Sequence, residues 1–231
     1  MKEKQKIKDC YYGISQKKDG QMILKATEVA KQNRLHFFEK INIDPDSVIS
    51  TELEHGTNIV FVTKNDQGKV FPKTDGLVTQ DSNICLTVTV SDCLPIFFFD
   101  HRIHTIGIAH AGWRGVVAGI ASKMVRAFIE QGSQKENLKV LIGPHIKQCH
   151  FEIQEDTRNI FEQYSNALIS RNGKWFVSLE AIIKEELMQE GFKEDQIQTD
   201  RDCTYCNDNY FSYRREHPDK PISQIAYVYQ G

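Results

Sequence analysis

Three side chains with metal-binding chemistry, His55, Cys93 and His110, each stand where an apolar run stops at a small or turn-forming residue. His55 precedes Gly56, Cys93 follows Ser91-Asp92, and His110 precedes Ala111-Gly112. Strand ends are where a sheet scaffold gathers residues that are remote in the chain onto one rim. Two imidazoles and a thiolate suit zinc, and three protein ligands leave the fourth tetrahedral position open to water or substrate, as in a catalytic rather than a structural site. No CxxC or HExxH pair links these three locally. Spacing alone therefore leaves a second reading open, in which the histidines are satisfied loop residues and Cys93 fills a core.

The segment His110-Ala111-Gly112-Trp113-Arg114-Gly115 leads from a strand into a helix. Backbone N–H groups at such a helix start, beside the Arg114 guanidinium, form an anion site fit for phosphate, and Gly112 permits close backbone approach. A tight turn with a surface arginine is the alternative. Asp75 and Asp92 flank the expected site as base, as orienter of a histidine, or as turn-former. Cys149, beside His150 on a loop after Gly143-Pro144, either lines the pocket or is a buried spectator. Arg214 and Arg215 offer a second anion contact or surface ion pairs. Cys203 and Cys206 form a single C-x-x-C, a metal or redox signal without a second pair.

Positioning these residues requires strands that alternate with helices. Thr27 is a suitable N-cap for a helix over Glu28–Lys40. Residues 48–62 read as two strand segments meeting at His55, with further strands at 84–90, 95–99, 105–109 and 138–142. Behind His110 the pattern predicts a helix whose apolar face holds Val117, Ile120, Met124 and Phe128, closed by Gly132. Two more helices are expected at 155–168 and 179–190, the latter capped by Ser178 and Gly191. Interspersed strands and helices without repeats or linkers predict a single α+β domain over residues 1–231, with mixed sheets flanked by helices in an α/β/β/α-like order.

Composition narrows the function. The 29 Lys and Arg balance 31 Asp and Glu for a net charge of −2, which argues against nucleic acid as a partner. Residues 94–99 form the longest apolar run, far short of the roughly 18 residues of a membrane span. Met1–Lys6 is charged without an apolar stretch behind it, so neither a secretion signal nor an anchor is expected. We expect a cytoplasmic protein whose six cysteines serve as ligands, catalytic groups or core filling rather than disulfides.

Several motifs occur together: Thr74-Asp75-Gly76-Leu77-Val78-Thr79, Ser91-Asp92-Cys93-Leu94-Pro95, the His110–Gly115 segment, Ile142-Gly143-Pro144 with Cys149-His150-Phe151-Glu152, and Cys203-Thr204-Tyr205-Cys206 with Phe211-Ser212-Tyr213-Arg214-Arg215. From about Glu52 onward the chain resembles the YfiH-like family. These are laccase-domain or polyphenol oxidase proteins now described as purine nucleoside phosphorylases with adenosine deaminase activity.

The resemblance implies a metal held by His55, Cys93 and His110. It implies phosphorolysis of adenosine, inosine and methylthioadenosine to free base and ribose 1-phosphate. Zinc is the expected cofactor, with Cu2+ able to bind the same donors in vitro. His55, Cys93, His110 and Asp92 are the expected catalytic residues, and Arg114, Gly112, Asp75 and Cys149 the expected substrate and phosphate contacts. The expected partners are purine nucleosides and phosphate, and the expected assembly is a monomer or small homo-oligomer. Two motifs depart from the family pattern: Leu53-Glu54 stands where the first has a glutamine-valine pair before the histidine, and Ser91 replaces an alanine in the second.

Rival readings are a copper polyphenol oxidase, a cysteine hydrolase with Cys93 activated by His110, an enzyme editing peptidoglycan precursors, and a zinc-stabilised binding module with a fourth ligand such as Cys149. Multicopper oxidation requires many histidines, commonly in His-x-His pairs; this chain has eight histidines and no such pair.

Overall fold

The apolar runs Leu94–Asp100 and Thr105–Ala111 are buried along their whole length and pair antiparallel, with Pro95 opposite His110. Strands buried on both faces read as continuous rather than alternating apolar sequence, and they need a layer on each side. The computed structural model, which describes residues 3–23, 27–217, 219 and 221–231, supplies both layers.

These two strands are the centre of a six-stranded sheet in the order Ile197–Thr199, Leu138–Ile142, Leu94–Asp100, Thr105–Ala111, Gly76–Thr79, Ile59–Phe61. A second six-stranded sheet runs Gln5–Ile7, Cys10–Ile14, Gln224–Gln230, Ile84–Val90, Val48–Thr51, Val70–Phe71. Alternation along each strand sorts side chains between two cores. Phe97, Phe99, Ile106 and Ile108 of the first sheet meet Tyr12, Ile14, Leu86 and Val88 of the second. Ile96, Phe98 and Ala109 point the other way, onto Ile120, Met124, Phe128, Ile182 and Ile183 from helices. Phe37 and Phe38 of the helix Glu28–Lys40 cover the outer face of the second sheet against Cys85, Ile225 and Tyr227. The result is the expected α+β architecture in α/β/β/α order, with a small third sheet of Glu152–Ile153, Lys174–Val177 and Leu168–Arg171 at one side.

The expected local elements are altered in three places. Val48–Thr51 and Ile59–Phe61 do not meet at His55; they lie in different sheets, and loop 52–58 crosses between them. The helix after His110 breaks into Trp113–Val117 and Ile120–Glu130 because Gly119 takes a left-handed conformation, φ 78°. The helix at 155 stops at Phe161. Leu168, expected as its last residue, instead begins a hairpin that turns at Asn172-Gly173, both at positive φ, the pair that favours a tight two-residue turn.

Phe97 is fully buried between the sheets, with its ring 5.6 Å from that of Tyr12. Phe97→Ala should therefore cost about 3–5 kcal/mol, measured as the loss of unfolding free energy in urea.

Candidate metal centre

Two of the three candidate ligands sit on connections between the sheets. His55 lies on loop 52–58, and Cys93 ends the short crossing from Ile84–Val90 to Leu94–Asp100. His110 is near the end of its strand, opposite Pro95. The crossings bring all three together: their ligand atoms lie within 4.8 Å of one another, and no fourth ligand residue joins them among the described residues. The rings of His55 and His110 are 4.8 Å apart and nearly perpendicular.

Asp75 organises this group. It has no exposed surface, and its Oδ1 accepts the His55 backbone N–H at 2.9 Å while Oδ2 accepts that of Gly56 at 2.8 Å. Oδ1 is also 3.2 Å from His110 Nδ1. The same residue's carbonyl accepts the His110 backbone N–H at 2.7 Å. One carboxylate thus fixes the loop of one histidine and the ring of the other. The loop needs this restraint because His55 itself stands at φ 59°, a left-handed conformation costly for a residue with a Cβ.

The electrostatics follow from burial and proximity. Burial raises the Asp75 pKa, but hydrogen bonds from His110 and the Gly56 N–H outweigh it and hold the carboxyl below its usual range. For His110, burial pushes the imidazole down, yet the Cys93 charge and hydrogen bonds to Asp75 and Cys93 lift it to about 9. His55 is lowered by burial and then by the neighbouring His110. The second ring proton would be displaced by a bound metal, and the acceptor at His110 Nδ1 would then leave Nε2 for the ion.

Gly112 closes the group from behind. A Cβ there would lie 3.3 Å from Cys93 Sγ, 3.4 Å from His110 Cε1 and 3.4 Å from His55 Cδ2. A side chain there would press on all three ligand side chains and would need them to shift slightly.

The three ligand side chains line a cavity of about 440 Å3. Val90, Ile146, Phe151 and Ile222 give it apolar walls, and Asp92, Arg214, Ser91 and Ser223 contribute polar groups. The hydroxyls of Ser91 and Ser223 are buried without a hydrogen-bond partner among the described residues. A larger and more open depression of about 680 Å3, beside Lys6 and Asp202, has neither histidine nor cysteine in its lining.

The other expected site residues fall in different places. Asp92 does line the cavity, but its carboxylate is fully engaged: Oδ1 accepts from Thr204 Oγ1 and Oδ2 from the Arg214 backbone N–H, each at 2.7 Å. Asp75, expected as a substrate contact, is behind the histidines and not in the lining. Arg114 is also outside the lining; it is exposed and stacks on Trp113, 4.2 Å from the ring centroid. The expected helix start beside it belongs to a helix of only five residues. The arginine in the cavity lining is Arg214, whose Nη1 donates to Glu152 O at 2.8 Å. Cys149 is absent from this group and this lining; it joins His150, Cys203 and Cys206 in a separate cluster. Ser223 went unnoticed in the sequence because nothing local marks a serine just before a terminal strand.

Fold and site together describe a four-layered α+β protein with a candidate three-ligand metal centre where the chain crosses between its two main sheets. The chain belongs to the family described as multi-copper polyphenol oxidoreductase laccase, whose model matches residues 22–222. A relative named purine nucleoside phosphorylase YlmD, from Bacillus subtilis, is 28% identical over 88% of this chain and 78% of its own length. Purine nucleoside phosphorylase YfiH of Escherichia coli is 28% identical over 85% of this chain and 78% of its own. Adenosine deaminase RL5, from an unknown prokaryotic organism, is 26% identical over 79% and 75%. The fold matches the crystal structure of the hypothetical protein YfiH from Bacillus licheniformis with a TM-score of 0.90 at 24% identity, covering 96% of this chain and 93% of that one. No helix among the described residues is long and apolar enough to cross a membrane.

Asp75→Asn keeps the shape but presents an NH2 group where one of the three donors now points. Metal affinity should fall about 10–100-fold, the usual cost of losing an outer hydrogen-bond partner, measured by competition with a chromophoric chelator while circular dichroism reports the fold.

Proposed function

We propose that this chain is a zinc-dependent purine nucleoside phosphorylase that also deaminates adenosine, acting on adenosine, inosine and methylthioadenosine in the cytoplasm. The observation that carries the reading is a His-Cys-His group with one side free, on the wall of an apolar cavity that Arg214 also lines. Relatives named for both activities support it. A volume of about 440 Å3 falls within the range of about 300–1,000 Å3 occupied by small-molecule sites.

His55, Cys93 and His110 would hold the ion, and zinc suits this donor set. Zinc there supplies a Lewis acid and a water of pKa near 7, the chemistry a deaminase needs. The protein's own contributions can be assigned around it. Phe151, Ile146 and Ile222 offer flat apolar surface to a purine, and the unpartnered hydroxyls of Ser91 and Ser223 suit its polar edge or the ribose. Arg214 is assigned the phosphate role expected of Arg114, since Arg214 lines the cavity and Arg114 does not. Asp92 holds that arginine's backbone and Thr204 in place through one hydrogen bond at each oxygen. Asp75 keeps His110 in the ligating tautomer.

A second reading has a specific observation behind it. Asp75, His110 and Cys93 also stand in the order carboxylate, imidazole, thiol, which is the order of a cysteine hydrolase. Chelation separates the two: the zinc enzyme loses turnover and regains it with added zinc, whereas a thiol nucleophile is indifferent to chelator and is killed by alkylation.

Inosine incubated with metal-replete protein should release hypoxanthine only when phosphate is present, and adenosine should yield inosine without it. His55→Ala or Cys93→Ala should each lower turnover by more than the roughly 10–100-fold cost of an outer partner. Arg214→Gln should raise KM for phosphate more than KM for nucleoside. A selective loss of nucleoside binding in Arg214→Gln, or base release that ignores phosphate, contradicts the assignment.

A further inference from the structure

The second cluster has an independent geometry. Cys149 and His150 follow the exit of the strand Leu138–Ile142, and Cys203 and Cys206 lie on a turn tied to that exit by a parallel bridge between His145 and Cys203. The three sulfurs and His150 Nδ1 lie within 4.8 Å of one another. Cys149 Sγ is 3.8 Å from Cys203 Sγ and 3.9 Å from Cys206 Sγ, and His150 Nδ1 is 3.2 Å from both Cys149 Sγ and Cys206 Sγ. Bonds of about 2.3 Å to sulfur and 2.0–2.1 Å to nitrogen around a tetrahedral ion imply edges of about 3.8 Å between sulfurs and about 3.5 Å between sulfur and nitrogen. The sulfur separations match those edges. They are far above the roughly 2.05 Å of a disulfide, and all the cysteines are free thiols.

We propose that Cys149, His150, Cys203 and Cys206 form a second zinc site, structural in kind, with all four positions supplied by the protein. Its surroundings are those of a ligating turn. The His150 ring is stacked on Tyr205 with centroids 4.0 Å apart, which fixes the orientation of Nδ1. The Lys147 backbone N–H donates to Cys203 Sγ at 3.4 Å. Arg215 holds the turn from outside, with Nη1 donating to Thr204 O at 2.7 Å and Tyr205 O at 2.8 Å. Closed coordination excludes substrate and makes the ion a staple.

The staple has a definite target. Thr204, between the two turn cysteines, donates to Asp92, the neighbour of Cys93. His150 adjoins Phe151 of the cavity wall, and its carbonyl lies 3.4 Å from Arg214 Nη1. The second ion therefore holds one wall of the cavity against the crossing that carries the first site's thiolate. This inference does not rest on the proposed reaction or on metal at the first site, because each site is counted separately.

The test is zinc content by mass spectrometry of full-length protein purified under reducing conditions without added metal. Wild type should carry two zinc ions per chain, His55→Ala one, and Cys206→Ser one with a lowered melting temperature. Cys206 is the exposed ligand, so its serine variant perturbs the core least. In case that variant does not fold, His55→Ala loaded with cobalt gives a second measurement: it should show the thiolate charge-transfer intensity of three sulfurs. The proposal is overturned if folded Cys206→Ser keeps the wild-type zinc content, if the cobalt form of His55→Ala shows no thiolate band, or if Cys203 and Cys206 are isolated as a disulfide. A wild type that loses no zinc on His55→Ala speaks against the first site and leaves the count at this one intact.

Discussion

A carboxylate without exposed surface is tolerated only when its oxygens are occupied by donors, and Asp75 meets that condition with donors from both histidine segments of the metal centre. The arrangement works in both directions. The N–H groups of His55 and Gly56 keep the acid ionised inside the protein, and the ionised acid keeps a strained loop and a buried imidazole in register. The backbone bond from His110 N–H to Asp75 O places this acid at the edge of the strand that carries the second histidine. Asp75 thereby sets both the His55 loop and the His110 ring.

The fold creates the need for it. The chain crosses repeatedly between two sheets packed face to face, and both His55 and Cys93 lie on such crossings. Crossing loops are poorly restrained by ladder hydrogen bonds, so their side chains must be positioned by contacts from outside the sheet. Asp75 does this for His55. Asp92 does it on the other side, where Thr204 and the Arg214 backbone anchor the residue next to Cys93. Gly112 leaves room for the three side chains to converge.

Much of this was legible in the sequence, and the rest was hidden for identifiable reasons. Apolar runs at 84–90, 95–99 and 105–109 marked buried strands, Cys93 and His110 stand just past two of them, and His55 follows the apolar residues that begin at Val48. Helices with clear caps, at Thr27 and Ser178, appeared where expected. Arg114 and Arg214 are equally plausible in sequence as anion contacts, and only the fold shows that Arg214 lines the cavity while Arg114 stacks on Trp113 outside it. Cys149 was read alone, and Cys203-Cys206 as a pair without a partner, because the chain separates them by more than fifty residues and only the bridge at His145 unites them. The strand Gln224–Gln230 pairs with Cys10–Ile14 and Ile84–Val90, and such long-range pairing leaves no local trace.

The central claim is that His55, Cys93 and His110 share one ion that keeps a position free toward the cavity. Anomalous diffraction at the zinc absorption edge, from crystals of the chain grown without added metal, tests it most directly. The account predicts a peak about 2.0–2.3 Å from the three ligand atoms, with the remaining position held by solvent or a small molecule. No peak between those side chains, or a fourth protein ligand completing the tetrahedron there, would contradict it.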